Sequence, residues 1–258
     1  MAGTHAHQGR VQHLHVHGTS PVHRLAPEAK LLGLLAFVVV VALTPRRAVV
    51  AFGIEAATLI AVLVLARLPV RVVLGRLTVV VPFVLFAAFV PFVAGGEQVE
   101  VGWLTLSVEG LWAAWGIVAK ATLGAAAAIV MSATTPIPDV LHGMTRLHLP
   151  RVLVAIIAFM CRYLDLLADQ LARMRRAMTA RGHDPRWLWQ VGPIAASAGA
   201  LFVRSYERGE RVHLAMLARG FTGTMPALDA RRATARDWLA AFVPGLVASA
   251  GVLAVRAW

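Results

Sequence analysis

Long uninterrupted apolar runs limit what this chain can fold into. Leu31 to Thr44, Ala48 to Ala66, Leu77 to Val93, Leu111 to Met131 and Trp238 to Val255 contain almost no ionisable side chain. A bilayer core about 30 Å thick takes roughly 20 apolar residues per helix. Within it, backbone donors and acceptors must be satisfied inside the segment, which selects helices. The first run is short for that purpose, so its helix is extended back to about Pro27, where a proline suits a helix start. Pro82 and Pro91 are expected to bend the third run. The chain has 59% hydrophobic residues, a mean hydropathy of +0.70 and 15% charged residues. Soluble domains carry roughly 25% charged residues. The fold class is therefore read as all-α, a polytopic integral membrane protein with about 5–7 membrane helices.

The formal net charge of +12 comes almost wholly from Arg and gathers in the N-terminal tail, around residues 67–76 and between 146 and 236. Basic segments beside spans mark the cytoplasmic side, so the charge is assigned to topology and no nucleic-acid partner is expected. The loop from Ala94 to Gly110 contains Glu97, Glu100 and Glu109 without Lys or Arg, whereas Arg67, Arg71 and Arg76 fill the preceding loop. The acidic loop is thus placed outside and the N-terminus in the cytoplasm. Arg46 and Arg47 fall on the outer side and stand as exceptions, because the opposite orientation would export the Arg-rich region from 146 onward. Glu55 and Lys120 interrupt apolar runs. Intramembrane charges are functional candidates, yet pairing with a neighbouring helix or a partner subunit explains them equally well. The single cysteine, Cys161, can form no intrachain disulfide and is expected to pack. The polar first 30 residues lack the pattern of a cleavable signal, so the first membrane helix is expected to serve as the insertion signal.

Four regions follow. Residues 1–26 form a His-rich tail, expected to be mobile; residues 27–131 form a four-helix transmembrane region; residues 132–236 form a coupling region; residues 237–258 form a C-terminal membrane helix. In the tail, His13, His15 and His17 alternate, and in an extended chain they would share one side and could meet one cobalt, nickel or zinc ion. The competing reading is a tail without a ligand. In the coupling region, Thr134-Thr135-Pro136 and Pro138 end the fourth span. No Pro or Gly interrupts Arg151 to Arg181, which predicts one helix about 45 Å long. Its first half is apolar and its second basic, with Leu171, Met174 and Met178 on an apolar stripe. After Gly182-His183-Asp184-Pro185 the pattern returns: Trp187 to Val203 is mostly apolar, with Trp187 and Trp189 suited to a membrane interface, and an Arg- and Glu-rich stretch leads to Gly220.

Both halves of that region end alike. Residues 177–182 read Ala-Met-Thr-Ala-Arg-Gly and residues 215–220 read Ala-Met-Leu-Ala-Arg-Gly. Gly182 and Gly220 suit the left-handed position just past a helix C-terminus, which makes Ala180-Arg181-Gly182 and Ala218-Arg219-Gly220 helix tips. Ala177 and Met178 share a face with Arg181, as Ala215 and Met216 do with Arg219. Such a tip fits an apolar groove with an acidic end, since alanine allows close approach, methionine adapts its shape and Arg offers a planar fork to a carboxylate. The alternative is that Ala-Arg-Gly is merely a good helix end. Its return in register favours docking into two grooves.

No phosphate-binding loop is present, for the only lysines are Lys30 and Lys120 and neither follows the required glycine spacing. The chain cannot hydrolyse ATP alone. It has no nucleophile elbow, no His-Glu-x-x-His and no paired Cys motif, and His142, His148, His183 and His213 are scattered. The other candidate classes are a membrane enzyme, which lacks a reactive constellation, and a secondary transporter or channel, for which the first four spans offer only Glu55 and Lys120.

From about His23 to its end the chain resembles the transmembrane (T) component of energy-coupling-factor (ECF) transporters, the CbiQ and EcfT family. The likeness is carried by His23-Arg24-Leu25-Ala26-Pro27-Glu28-Ala29-Lys30, Leu149-Pro150-Arg151 with Arg162-Tyr163, Arg175 to Gly182, and Arg204 to Arg211 leading into Ala218-Arg219-Gly220-Phe221. The resemblance implies a subunit that is not itself an enzyme and sits in the prokaryotic cytoplasmic (inner) membrane. Its partners would be two ABC-type ATPase subunits and a membrane substrate-binding (S) subunit. It also implies ATP on the ATPases, no cofactor on this chain, and long cytoplasmic coupling helices with Arg181 and Arg219 as anchors. Residues Pro82 to Phe92 and Arg204 to Arg211 resemble the metal type more than the shared vitamin type. Co2+ is the expected substrate, with nickel or a vitamin as the alternative.

Overall fold

The computed structural model describes residues 18, 20–95, 98–101, 104–183, 191–221, 223 and 233–257. Helices dominate: α1 (Pro21–Arg24), α2 (Pro27–Leu43), α3 (Val49–Leu65), α4 (Val70–Leu77), α5 (Val81–Val93), α6 (Val108–Thr134), α7 (Ile137–Arg146), α8 (Arg151–Ala180), α9 (Gly192–Ala218) and α10 (Ala235–Ala257). Among the described residues three stretches are long and apolar enough to cross a bilayer: Val70–Val93, Val108–Thr134 and Ala235–Val255. Helices α2 and α3 have 17 residues each, which is about 26 Å of rise.

Local chemistry sets the ends. Pro27 opens α2 at its first turn, where a missing N–H costs nothing. The third span begins earlier than the apolar run implied. Helix α4 leads through a 3-10 turn at Thr78–Val80 into α5, so Pro82 falls in a first turn while Pro91 lies within the helix. Ser107 caps α6, accepting from Gly110 N at 3.2 Å and donating to Gly95 O at 3.0 Å. Thr234 and Asp237 cap α10 reciprocally: Thr234 N donates to Asp237 Oδ2 at 2.9 Å and Asp237 N to Thr234 Oγ1 at 3.4 Å. The stretch read as an acidic loop contains an antiparallel hairpin, β1 (Gln98–Val101) and β2 (Leu104–Ser107), with Gln98 opposite Ser107 and Val101 opposite Leu104. Among the described residues it is the only pair of strands.

The chain divides into two units. The membrane unit holds the described residues of Leu14–Gly143 and Ala230–Trp258. Its core joins Phe37 and Val41 of α2, Phe52 and Leu59 of α3, Leu123, Ile129 and Val130 of α6 and Ala248 of α10. Glycine allows the closest approach: a Cβ on Gly33 of α2 would lie 2.2 Å from Ala241 O of α10. Large apolar side chains such as Leu35, Val39, Ile60, Phe86, Phe89 and Leu246 face outward, as lipid contact requires. Glu55 is fully buried and accepts from the Thr44 hydroxyl at 2.6 Å, while Lys120 Nζ donates to Ala42 O at 2.7 Å. Arg46 and Arg47 both pair with Glu109. The two basic exceptions therefore lie at the same end of the unit as an acidic side chain that offsets them.

The second unit contains Met144–Asp229, with α8 of 30 residues and α9 of 27. The uninterrupted helix from Arg151 is present as expected. Ser197 Oγ of α9 donates to Met178 Sδ of α8 at 3.4 Å, and Phe159 stacks on Tyr163 within α8 at a centroid distance of 6.2 Å. Cys161 is half-buried. Trp187, Trp189, His13, His15 and His17 lie outside the described residues.

Candidate functional site

Helices α8 and α9 end in the same backbone geometry. Arg181 is the C-cap of α8 at φ −89°, ψ 13°, and Arg219 that of α9 at φ −95°, ψ 12°. Gly182 and Gly220 both follow at φ +79°. At the first end, His183 N donates to Met178 O and Gly182 N to Thr179 O, each at 3.0 Å; at the second, Phe221 N donates to Met216 O and Gly220 N to Leu217 O, each at 3.0 Å. This is the Schellman arrangement, which satisfies the carbonyls a helix leaves over at its C-terminus. The repeated hexad thus separates by role. Glycine closes the helix and Met supplies the carbonyl that receives the last bond, whereas the Arg side chain makes no bond in the cap and is favoured there only by the helix dipole.

The side chains bear out that division. Ala180, Arg181, Ala218 and Arg219 are exposed, as are Ala177 and Ala215, while Met178 and Met216 are half-buried. Met178 meets Ser197 of its own unit. Among the described residues neither Arg181 nor Arg219 has an ion-pair partner. A guanidinium is always charged and offers five donors in a fixed fork. At each tip it stands beside alanine, available to an external carboxylate.

A second cluster, whose arrangement the sequence did not disclose, lies at the start of α2. Lys30 is 9% exposed. Its Nζ donates to His23 O at 3.2 Å, Thr134 O at 3.3 Å and Thr135 Oγ1 at 3.2 Å. Glu28 is buried, and its Oε1 accepts from Ala233 N at 2.9 Å. The available signal was a carboxylate and an ammonium two residues apart behind a proline, at the mouth of an apolar helix. Thr134, Thr135 and Ala233, partners more than 100 residues away, left no local trace. Among the described residues no cluster of three or more His, Cys, Asp or Glu could hold a metal ion.

Both Ala-Arg-Gly ends and the Glu28–Lys30 turn fall within residues 18–228, which match the family model described as CbiQ, cobalt transport protein. The chain belongs to the CbiQ family. Among CbiQ relatives, the cobalt transport protein CbiQ of Rhodobacter capsulatus is 28% identical over 203 residues, 78% of this chain and 80% of its own length. The energy-coupling factor transporter transmembrane protein EcfT of Brevibacillus brevis is 30% identical over 226 residues, covering 81% and 83%. The nickel permease LarQ of Lactiplantibacillus plantarum is 35% identical over 107 residues, covering 42% and 39%. The CbiQ and EcfT likeness thus extends over most of the chain and identifies a membrane transport component.

Proposed function

We propose that this CbiQ-family chain is the energy-coupling transmembrane subunit of an ATP-driven ECF uptake transporter. It joins two cytoplasmic ABC-type ATPases to a membrane substrate-binding subunit and imports Co2+. The observation that carries this reading is the pair of matching exposed ends, Ala180-Arg181-Gly182 and Ala218-Arg219-Gly220, each with an unpaired cation among the described residues. Two like ends suit a partner with two like sockets, and the lack of a phosphate-binding loop in this sequence is consistent with hydrolysis by that partner. The Arg-rich segments support a prokaryotic inner-membrane location with the N-terminus and both ends in the cytoplasm. Cobalt is favoured over nickel because the family description names cobalt, while the nickel permease relative matches over less than half of either chain. His13, His15 and His17 fit capture of the same ion ahead of transport.

A channel working without ATPases would need a polar route. The cavity of about 340 Å3 among α2, α3, α6 and α10 is lined by groups such as Phe37, Leu59, Val62 and Val130, and Lys30 is the only ionisable side chain in that lining. It offers a metal cation no carboxylate.

Purification tests the reading: ATPase chains should accompany the intact protein. Arg181→Glu or Arg219→Glu should insert normally yet weaken that association. A charged hydrogen bond contributes about 1.5–3 kcal/mol, roughly a 10- to 150-fold loss per end, with the double change worse. Normal assembly and uptake in the double variant would overturn the assignment.

A further inference from the structure

The first turn of α2 holds described residues of the membrane unit that lie close in sequence to both passages of the chain between its two units. On the way out, α6 ends at Thr134 and α7 follows. Lys30 Nζ donates to Thr134 O and Thr135 Oγ1 there, and a Cβ on Gly143 of α7 would lie 3.1 Å from both Glu28 N and Pro27 C. On the way back, Glu28 Oε1 takes the N–H of Ala233, the residue just before the Thr234 cap of α10. An ammonium has three donors. All three are engaged, the third on His23 O.

Burying an ammonium and a carboxylate is costly, and apolar packing of equal volume often stabilises a fold as well or better. What the polar pair adds is directional attachment at defined atoms. Thr134 O belongs to the last turn of α6, where carbonyls lack helical partners and a cation is favoured. Lys30 therefore ties α2 to the end of α6, and Glu28 ties the same turn to the start of α10. Three helices of the membrane unit meet at one point, and the residues held there lie near both crossings in sequence.

We propose that Glu28 and Lys30 are positioning residues that anchor both crossings, so that movement begun at the Ala-Arg-Gly ends reaches α2, α6 and α10 together. This rests on the coupling function proposed above. The test uses the whole transporter with its ATPases in vesicles, measuring ATP hydrolysis and cobalt uptake side by side. Glu28→Leu and Lys30→Met should leave ATP hydrolysis within about two-fold of wild type while cobalt moved per ATP falls about ten-fold, the scale of an ordinary coupling energy. Glu28→Gln keeps an acceptor oxygen and should retain the wild-type ratio, which a loss of fold would not allow. If either severe variant fails to insert, Thr135→Val removes one of the three acceptors and should lower the ratio by a few-fold with hydrolysis intact. An unchanged ratio in the inserted variants, or one that falls only in step with hydrolysis, overturns the anchor and leaves the coupling function standing. Wild-type protein that neither binds ATPases nor needs them for uptake refutes the coupling function itself.

Discussion

Replacing Gly182 and Gly220 by alanine tests whether the backbone of the helix ends places Arg181 and Arg219. Both glycines lie at φ +79°, and a Cβ at either would meet no atom within 4 Å. The cost is therefore conformational alone, about 1–2 kcal/mol for an L-residue in the left-handed region. The stiffer unfolded chain returns about 0.4–1 kcal/mol, leaving a net of about 0.5–1.5 kcal/mol per end. If ATPases bind only the native end, their affinity should fall about 2- to 10-fold for each substitution. Asparagine, which tolerates this region better, should lie between glycine and alanine. Gly209 supplies the control. It sits inside α9 with nothing within 4 Å of an added Cβ and no positive φ, so alanine there should stabilise by about 0.5–1 kcal/mol. The assay is titration of detergent-solubilised protein with ATPase subunits, alongside thermal unfolding. Equal affinities for Gly182→Ala, Gly209→Ala and wild type would refute the idea that the left-handed glycine positions the arginine.

Two further substitutions probe the membrane unit. Gly33→Ala would bring a Cβ within 2.2 Å of Ala241 O; overpacking of this kind costs about 1–3 kcal/mol, to be read as earlier thermal unfolding, and an unchanged transition would contradict the close α2–α10 approach. Glu109→Gln removes the partner of two exposed arginines and should change stability by no more than about 1 kcal/mol. A topology reporter in the Arg46–Arg47 turn should show unchanged orientation, since Lys and Arg, and not carboxylates, set it.

Much of this architecture was legible because lipid imposes a simple rule on sequence. The apolar runs locate α2, α3, α6 and α10, and the absence of Pro and Gly after Arg151 gives α8 its full length. The terminal glycines of the two hexads give the helix ends. What escaped follows a different logic. The hairpin after Gly95 carries an alternation, Val99, Val101, Leu104 and Leu106, hidden by the attention its glutamates drew. Helix α4 mixes Arg71 and Arg76 with Val70, Val73 and Leu74, so hydropathy alone passes it over. Arg46 and Arg47 run against the charge rule in sequence, and their pairing with Glu109 is a tertiary contact that the sequence does not announce. The partners of Glu28 and Lys30 are set by tertiary packing.

Helix α3 has a consequence for the surrounding lipid. At about 26 Å it falls short of a hydrocarbon layer about 30 Å thick. Arginines stand beyond both ends, Arg46 and Arg47 before it and Arg67 after it. Long cationic side chains can reach for phosphate planes, so a span this short is expected to thin the bilayer beside it. The mismatch costs a fraction of a kcal/mol per Å. A thinned collar of bilayer beside α3 is the expected result, one that short-chain lipids would fill with the least strain.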